Sequence, residues 1–186
     1  MLRSILTFLR RYWRWFVALQ VVVLGVWILS QGITAEGQVK VRAEKFRQAL
    51  ASKNPTLAWK MVSANYRDEW GMARDDLGLA MKDVTSQFLA LNVEWVDPRF
   101  EVRDRAVFVT ARPQLSGRSL TPAGEIILAT AARLREPFVF RWEKEGWGPW
   151  TWRLTSISCP GLEIPAGYRA GMLSEKPASL DEFFGR

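Results

Sequence analysis

The sequence predicts an α+β domain behind an N-terminal transmembrane helix. Apolar residues recur every three to four positions until about residue 88, which is the period of helices. From about residue 91 they recur every second position, which is the period of antiparallel strands with one buried face. Helices and strands that are separated along a chain pack as helices on one face of a sheet, and this predicts the α+β class.

Residues 15–35 contain no ionisable side chain and predict a membrane-spanning helix. At ~1.5 Å per residue they reach about 32 Å, whereas the hydrocarbon core of a bilayer is roughly 30 Å thick. Basic residues stay on the cytoplasmic side, so the arginines before this span predict a cytoplasmic segment 1–14 and an exported domain. The residues predicted to form the anchor are Trp15, Trp27, Arg10, Arg11 and Arg14.

A cleaved signal peptide is the alternative interpretation of this segment. Small residues at 30–32 and 33–35 are candidate cleavage sites. The apolar run exceeds the roughly 7 to 15 residues of a signal-peptide hydrophobic region, which favours the anchor. We therefore expect a single-pass protein of the cell membrane whose C-terminal domain is periplasmic or extracellular.

Charge and composition exclude several classes of function. The chain has 26 Lys and Arg against 19 Asp and Glu; four arginines precede the span, so residues 36–186 have a net charge of 22 − 19 = +3. The two signs are interspersed there, which argues against a nucleic-acid partner. Histidine is absent, which excludes His-based catalytic arrangements and His-containing zinc sites. We expect no metal and no cofactor. The single cysteine, Cys159, excludes an intrachain disulfide and is expected to be buried at a strand end.

Three helices are predicted after the span. The first covers residues 39–51 and has one apolar face. The second begins at Asn54 and Pro55, because asparagine is a favourable N-cap and proline suits the first helical position, and its apolar stripe continues to Asn65. The third runs from about residue 74 to residue 88.

About five antiparallel strands are predicted from residue 91 onward. Asp97 and Pro98 predict a bulge in the first strand, because proline has no N–H to donate. Residues 125–134 follow a longer connection and count as one of the five strands. Residues 145–148 form the loop of a final hairpin.

Several loose motifs in this region share the pattern of a known fold. They are a helix pair within 46–66, a strand and turn within 93–107, and the hairpin 138–154, in which an aromatic strand, an acidic-glycine turn and a tryptophan-rich strand follow one another. On these motifs, residues 38–157 resemble the nuclear transport factor 2-like superfamily, a cystatin-like cone of three helices against a curved antiparallel sheet. The superfamily supports unrelated functions, so the resemblance implies a fold and no single activity.

The resemblance implies a domain over residues 36–157 that usually encloses a cavity. Ten Trp and ten Phe make an aromatic-lined pocket for a small apolar ligand one interpretation. The other interpretation, which period-2 spacing favours, is that these rings fill the core. The candidate pocket residues are Tyr66, Phe138, Phe140, Trp142, Trp150 and Trp152.

Catalysis is a further alternative that the resemblance raises. Ketosteroid isomerase, scytalone dehydratase and polyketide cyclases share the superfamily and use acids and hydrogen-bond donors that converge in the cone. Because histidine is missing and no convergent set is evident, we predict that the protein is not an enzyme. The acids considered are Asp68, Asp75, Asp76, Asp83 and Glu125, with Tyr66 as a donor.

The predicted function is that of a membrane-anchored assembly or scaffold subunit, with apolar-ligand binding as the alternative. The layout resembles that of the periplasmic bitopic subunit of type IV secretion systems, which implies partners among membrane-complex subunits or a second copy. The tail, residues 158–186, is rich in Pro and Gly yet also apolar, so it either folds back on its own domain or docks on a partner. The candidate docking residues are Leu180, Phe183 and Phe184.

Overall fold

The computed structural model describes residue 17, residues 19–23 and residues 34–175. Residues 17 and 19–23 are helical. Among all the described residues, no helix has the length and apolar character needed to cross a bilayer. Most of the predicted span, all five anchor residues and the three docking residues of the tail lie outside the described residues.

Within residues 34–87, all of which the structure describes, three helices precede the sheet, as the sequence predicts. They are α1 (Ala35–Ala51), α2 (Pro55–Trp59) and α3 (Arg74–Ser86). The side chain of Thr34 caps α1 by accepting a hydrogen bond from the N–H of Gly37, so α1 begins earlier than predicted. Asn54 caps α2 in the same way, as predicted. α2 is only five residues long, because the following chain turns and Val62 pairs with Leu154 of the sheet.

Four antiparallel strands form one sheet in the order β1-β2-β3-β4, within the part of the chain that the structure describes. They are β1 (Phe88–Arg103), β2 (Ala106–Ser119), β3 (Phe138–Lys144) and β4 (Trp152–Ser158). The predicted bulge is confirmed, since the β1–β2 register shifts between Val96 and Arg99 and Asp97 has a φ of 48°. The α+β class is confirmed as well.

The prediction of a strand over residues 125–134 is wrong. These residues belong largely to α4 (Pro122–Arg133), which lies between β2 and β3. Thr121 caps this helix by accepting from the N–H of Gly124, and Pro122 occupies a first-turn position. The two adjacent isoleucines favour a strand locally, but the cap and the three-to-four spacing of the half-buried residues favour a helix.

The two ends of the sheet differ in what surrounds them. Loop 145–151, which contains a 3-10 helix at Pro149–Thr151, joins β3 to β4 at the same end as the β1–β2 turn. The start of α1 lies at this end too, because the indole N–H of Trp152 donates to the side chain of Gln38 at 2.8 Å. Leu120 follows β2 at the opposite end, where its N–H donates to the carbonyl of Gln87.

The C-terminal segment folds back on the domain as far as the structure describes it. Turns follow β4, and a short helix, α5, covers Met172–Glu175. Cys159 is fully buried directly after β4, as predicted, and burial raises the pKa of its thiol. The fold-back alternative therefore holds for residues 159–175.

Candidate functional site

An apolar cavity of about 450 Å³ lies between one face of the sheet, α3, α4 and the C-terminal segment. Alternate residues of β1 reach it, because successive side chains of a strand point to opposite faces. On α4 the lining residues recur at helical spacing and form one face. The main contributions from these two elements are Leu91, Val93, Trp95, Ile126, Ile127, Thr130 and Ala131.

Three aromatic rings form a continuous wall of this cavity. Phe138 and Phe140 stack with centroids 6.0 Å apart, and Phe140 stacks on Trp95 at 5.2 Å. Stacked rings with offset geometry pack favourably beyond the area they bury. Two of the six predicted pocket residues, Phe138 and Phe140, thus line the cavity.

The other four predicted pocket residues lie elsewhere. Trp142 is on the same face of β3 but is covered by α1, where Phe46 packs edge-on against it at 6.1 Å between ring centroids. Tyr66 and Trp152 are buried in the same core cluster. Trp150 is exposed on loop 145–151. α1 therefore fills the part of the sheet face that these rings were predicted to enclose as a pocket.

Asp68 is the polar group at the edge of the cavity. One carboxylate oxygen accepts from the backbone N–H groups of Trp70 and Met72, at 3.1 and 2.8 Å, and the other accepts from the hydroxyl of Tyr66 at 3.1 Å. Burial raises the pKa of Asp68 even though these hydrogen bonds oppose the shift. Burial, followed by the charge of Asp68, raises the pKa of Tyr66 far above its ordinary value.

The remaining candidate acids do not join Asp68. Asp75 and Asp76 are exposed in the first turn of α3, where the helix dipole favours negative charge, and Glu125 has the corresponding place in α4. Asp83 is fully buried and binds the C-terminal segment. The candidate acids are therefore distributed over separate structural roles.

The C-terminal segment forms a wall of the cavity that sequence reasoning did not assign. The indole N–H of Trp70 donates to the carbonyl of Leu162 at 3.0 Å, and Tyr168 is held by Asp83. The apolar residues in a Pro- and Gly-rich stretch were the available signal. The lining residues that this segment supplies are Leu162, Glu163, Ile164, Pro165, Tyr168 and Leu173.

Comparison with known proteins shows the fold of the domain and indicates no activity for it. No protein-family model and no curated protein matches the sequence. The solved structure of Bd1075 from Bdellovibrio bacteriovorus is similar, with a TM-score of 0.51 and 10% identity over 67% of this chain. This chain spans 40% of the length of that protein. At such identity the likeness shows the fold alone.

Two further solved structures are similar to this chain. A protein from Cytophaga hutchinsonii, described as NTF2-like, has a TM-score of 0.49 and 11% identity over 70% of this chain and 100% of its own. A protein of unknown function from Nostoc punctiforme, described as having a cystatin-like fold, has a TM-score of 0.47 and 10% identity over 69% of this chain and 96% of its own.

Proposed function

We propose that the domain binds a small apolar molecule in the cavity and that the N-terminal segment anchors it to a membrane. The observation that supports binding is a space of about 450 Å³ bounded by the aromatic wall, α4 and the C-terminal segment. Ligand pockets commonly measure roughly 300 to 1,000 Å³ and are mostly apolar with few polar groups. The anchor is supported by the uncharged residues 15–35 and their arginine flank.

The lining indicates which ligands fit. Asp68 and Glu163 are the charged residues among those that border the cavity. The negative charge of Asp68 disfavours an anionic ligand. Both oxygens of Asp68 already accept hydrogen bonds from its own loop, so the carboxylate offers a ligand no strong new contact. The preferred ligand is an uncharged molecule dominated by hydrocarbon, whose transfer from water gains about 25 cal/mol per Å² of buried apolar surface.

A substitution that fills the cavity tests ligand binding. Ala131 lines the cavity on α4, whereas the next residue, Ala132, is exposed on the same helix. Ala131→Phe places a ring in the ligand's space, and Ala132→Phe adds the same ring to the surface. The full-length wild-type chain and both variants are purified in the same detergent, and small molecules extracted from each are identified by mass spectrometry.

The expected result is a compound that co-purifies with the wild type and with Ala132→Phe and is depleted at least about tenfold in Ala131→Phe. The difference between the two variants removes detergent and bulk lipid as explanations, since both chains have identical surroundings. Equal small-molecule content in all three chains, with Ala131→Phe folded, would rule out the cavity as a ligand site.

The anchor is tested by extraction of membranes with alkaline carbonate. A spanning chain stays in the pellet, whereas a cleaved or peripheral chain enters the supernatant. Protease added to intact spheroplasts is expected to remove the domain without permeabilisation, as an exported domain requires. The assembly role stays a prediction, because Leu180, Phe183 and Phe184 lie outside the described residues.

A further inference from the structure

Loop 145–151 presents two large aromatic side chains to solvent. Trp147 is 99% exposed and Trp150 is 67% exposed. Single exposed apolar residues are common, but two tryptophans within four positions on one loop form a concentrated apolar surface. Tryptophan is the residue that prefers the boundary between water and the hydrocarbon of a bilayer, because its ring is apolar and its N–H is polar.

The loop that holds these rings is tied together internally. The hydroxyl of Thr151 is within hydrogen-bond distance of the carbonyls of Gly146 and Gly148, at 2.9 and 2.6 Å, and the N–H of Glu145 donates to the carbonyl of Thr151. The ring of Trp150 lies so close to Gly148 that a Cβ there would be 2.5 Å from it. The hydroxyl of Ser63 fixes the carboxylate of Glu145 at 2.5 Å.

The position of the loop relates it to the predicted span. β4 begins at Trp152 directly after the loop, and the indole of Trp152 binds Gln38 in the first turns of α1. Gln38 is three residues after Ala35, the last residue of the predicted span, which is about 4.5 Å along a helix axis. The loop therefore lies at the end of the domain where α1 begins, directly after the predicted span in sequence.

Basic side chains accompany the tryptophans at this end. The guanidinium of Arg42 on α1 donates to the carbonyl of Trp152 at 3.4 Å. Burial, followed by the positive charge of Arg153, lowers the pKa of Arg42. Cationic side chains beside apolar rings complement the anionic headgroups of a membrane surface.

We infer that loop 145–151 lies in the interface of the bilayer that holds the predicted span, with Trp147 and Trp150 at the level of the lipid headgroups. The inference rests on the membrane anchor proposed above and is independent of the cavity. It assigns the domain a second membrane contact, which fixes its orientation relative to the bilayer. The bilayer is the favoured occupant because α1, which directly follows the predicted span in sequence, begins at this end of the domain.

A fluorescent label on the loop tests this contact in the full-length chain. Trp147→Cys and, separately, Leu120→Cys are labelled with an environment-sensitive dye and reconstituted into phosphatidylcholine–phosphatidylglycerol vesicles. Leu120 is a matched control, because it is 58% exposed and lies at the opposite end of the sheet. The wild-type chain, whose Cys159 is fully buried, gives the labelling background. Trp150→Cys provides a second position on the loop.

Lipids with a nitroxide near the headgroup are then added as quenchers. Quenching at positions 147 and 150 is expected to exceed that at position 120 at least about threefold. Equal quenching in a chain that resists carbonate extraction would overturn the contact and leave the anchor standing. A blue-shifted emission without lipid quenching would mean that protein covers the loop, and would also overturn it. Release of the wild type by carbonate would overturn the anchor and the contact together.

Discussion

The carboxylate of Asp83 accepts a hydrogen bond of 2.9 Å from the hydroxyl of Tyr168, a residue 85 positions later in the chain. It also accepts from the backbone N–H groups of Gly171 and Ser174, both at 2.8 Å. Gly171 has a φ of 97°, a left-handed conformation that favours glycine. A buried carboxylate on α3 thereby holds the C-terminal segment against the cavity, and these three donors satisfy its need for hydrogen bonds.

Asp83→Ala is expected to lower the free energy of unfolding by about 3 kcal/mol, because buried donors that lose a charged acceptor bear their full desolvation cost. Chemical denaturation followed by tryptophan fluorescence measures the change. Asp75→Ala is the matched control, since Asp75 is exposed on the same helix and its loss is expected to cost less than about 1 kcal/mol. A similar loss in both variants would contradict the role assigned to Asp83.

Tyr168→Phe removes one hydroxyl from the same cluster and leaves the ring that lines the cavity. We expect a loss of about 1.5 to 3 kcal/mol, the usual range for a hydrogen bond to a charged group. The double variant with Asp83→Ala is expected to lose less than the sum of the two single losses, because both substitutions delete the same contact. Strict additivity in this double-mutant cycle would show that the two residues act independently.

The sequence predicted those elements whose determinants are local. The adjacent residues Asn54 and Pro55 predict where α2 begins, and Asp97 and Pro98 predict the bulge in β1. The class of the fold follows from the change in period near residue 91. In residues 125–134, by contrast, isoleucine propensity conflicts with the cap at Thr121, and the cap and tertiary packing decide the outcome.

The cavity could be predicted only in part, because its walls come from segments that are distant in sequence. Phe138 and Phe140 follow the strand period and were found, whereas Trp142 follows the same period but is covered by α1. Asp83 offers no local signal of its role, since its donors come from a stretch interrupted by Pro and Gly. Period and propensity describe neighbours along the chain and do not reveal such long-range partners.

Thr121→Ala tests whether the cap of α4 maintains the cavity wall. The hydroxyl of Thr121 accepts from the N–H of Gly124 and also lies 2.6 Å from the side-chain oxygen of Gln87. Loss of both contacts is expected to cost about 2 kcal/mol of unfolding free energy, measured by denaturant titration, and to weaken retention of the co-purifying ligand. Thr121→Ser keeps the hydroxyl and is expected to stay within about 0.5 kcal/mol of the wild type. Equal losses in the two variants would exclude the cap as the cause.

Asp68→Asn tests the electrostatic character of the cavity edge through the pH dependence of stability. Burial raises the pKa of Asp68 in the folded protein, so its protonated form is favoured there relative to the unfolded chain. A raised pKa gives stability that is present below the unfolded value of about 4 and is lost as pH rises through the folded value. Asparagine has no such titration, so the variant is expected to gain stability relative to the wild type as pH rises from about 3 towards neutrality.

The quantity to measure is the difference in unfolding free energy between Asp68→Asn and the wild type at several pH values, because the other carboxylates contribute equally to both chains. We expect this difference to rise with pH and to become constant above the pKa of Asp68 in the folded protein. A falling difference would mean that the hydrogen bonds from Tyr66, Trp70 and Met72 outweigh burial and depress the pKa of Asp68. In that case Asp68 would keep its negative charge over a wider range of pH, which would disfavour an anionic ligand further.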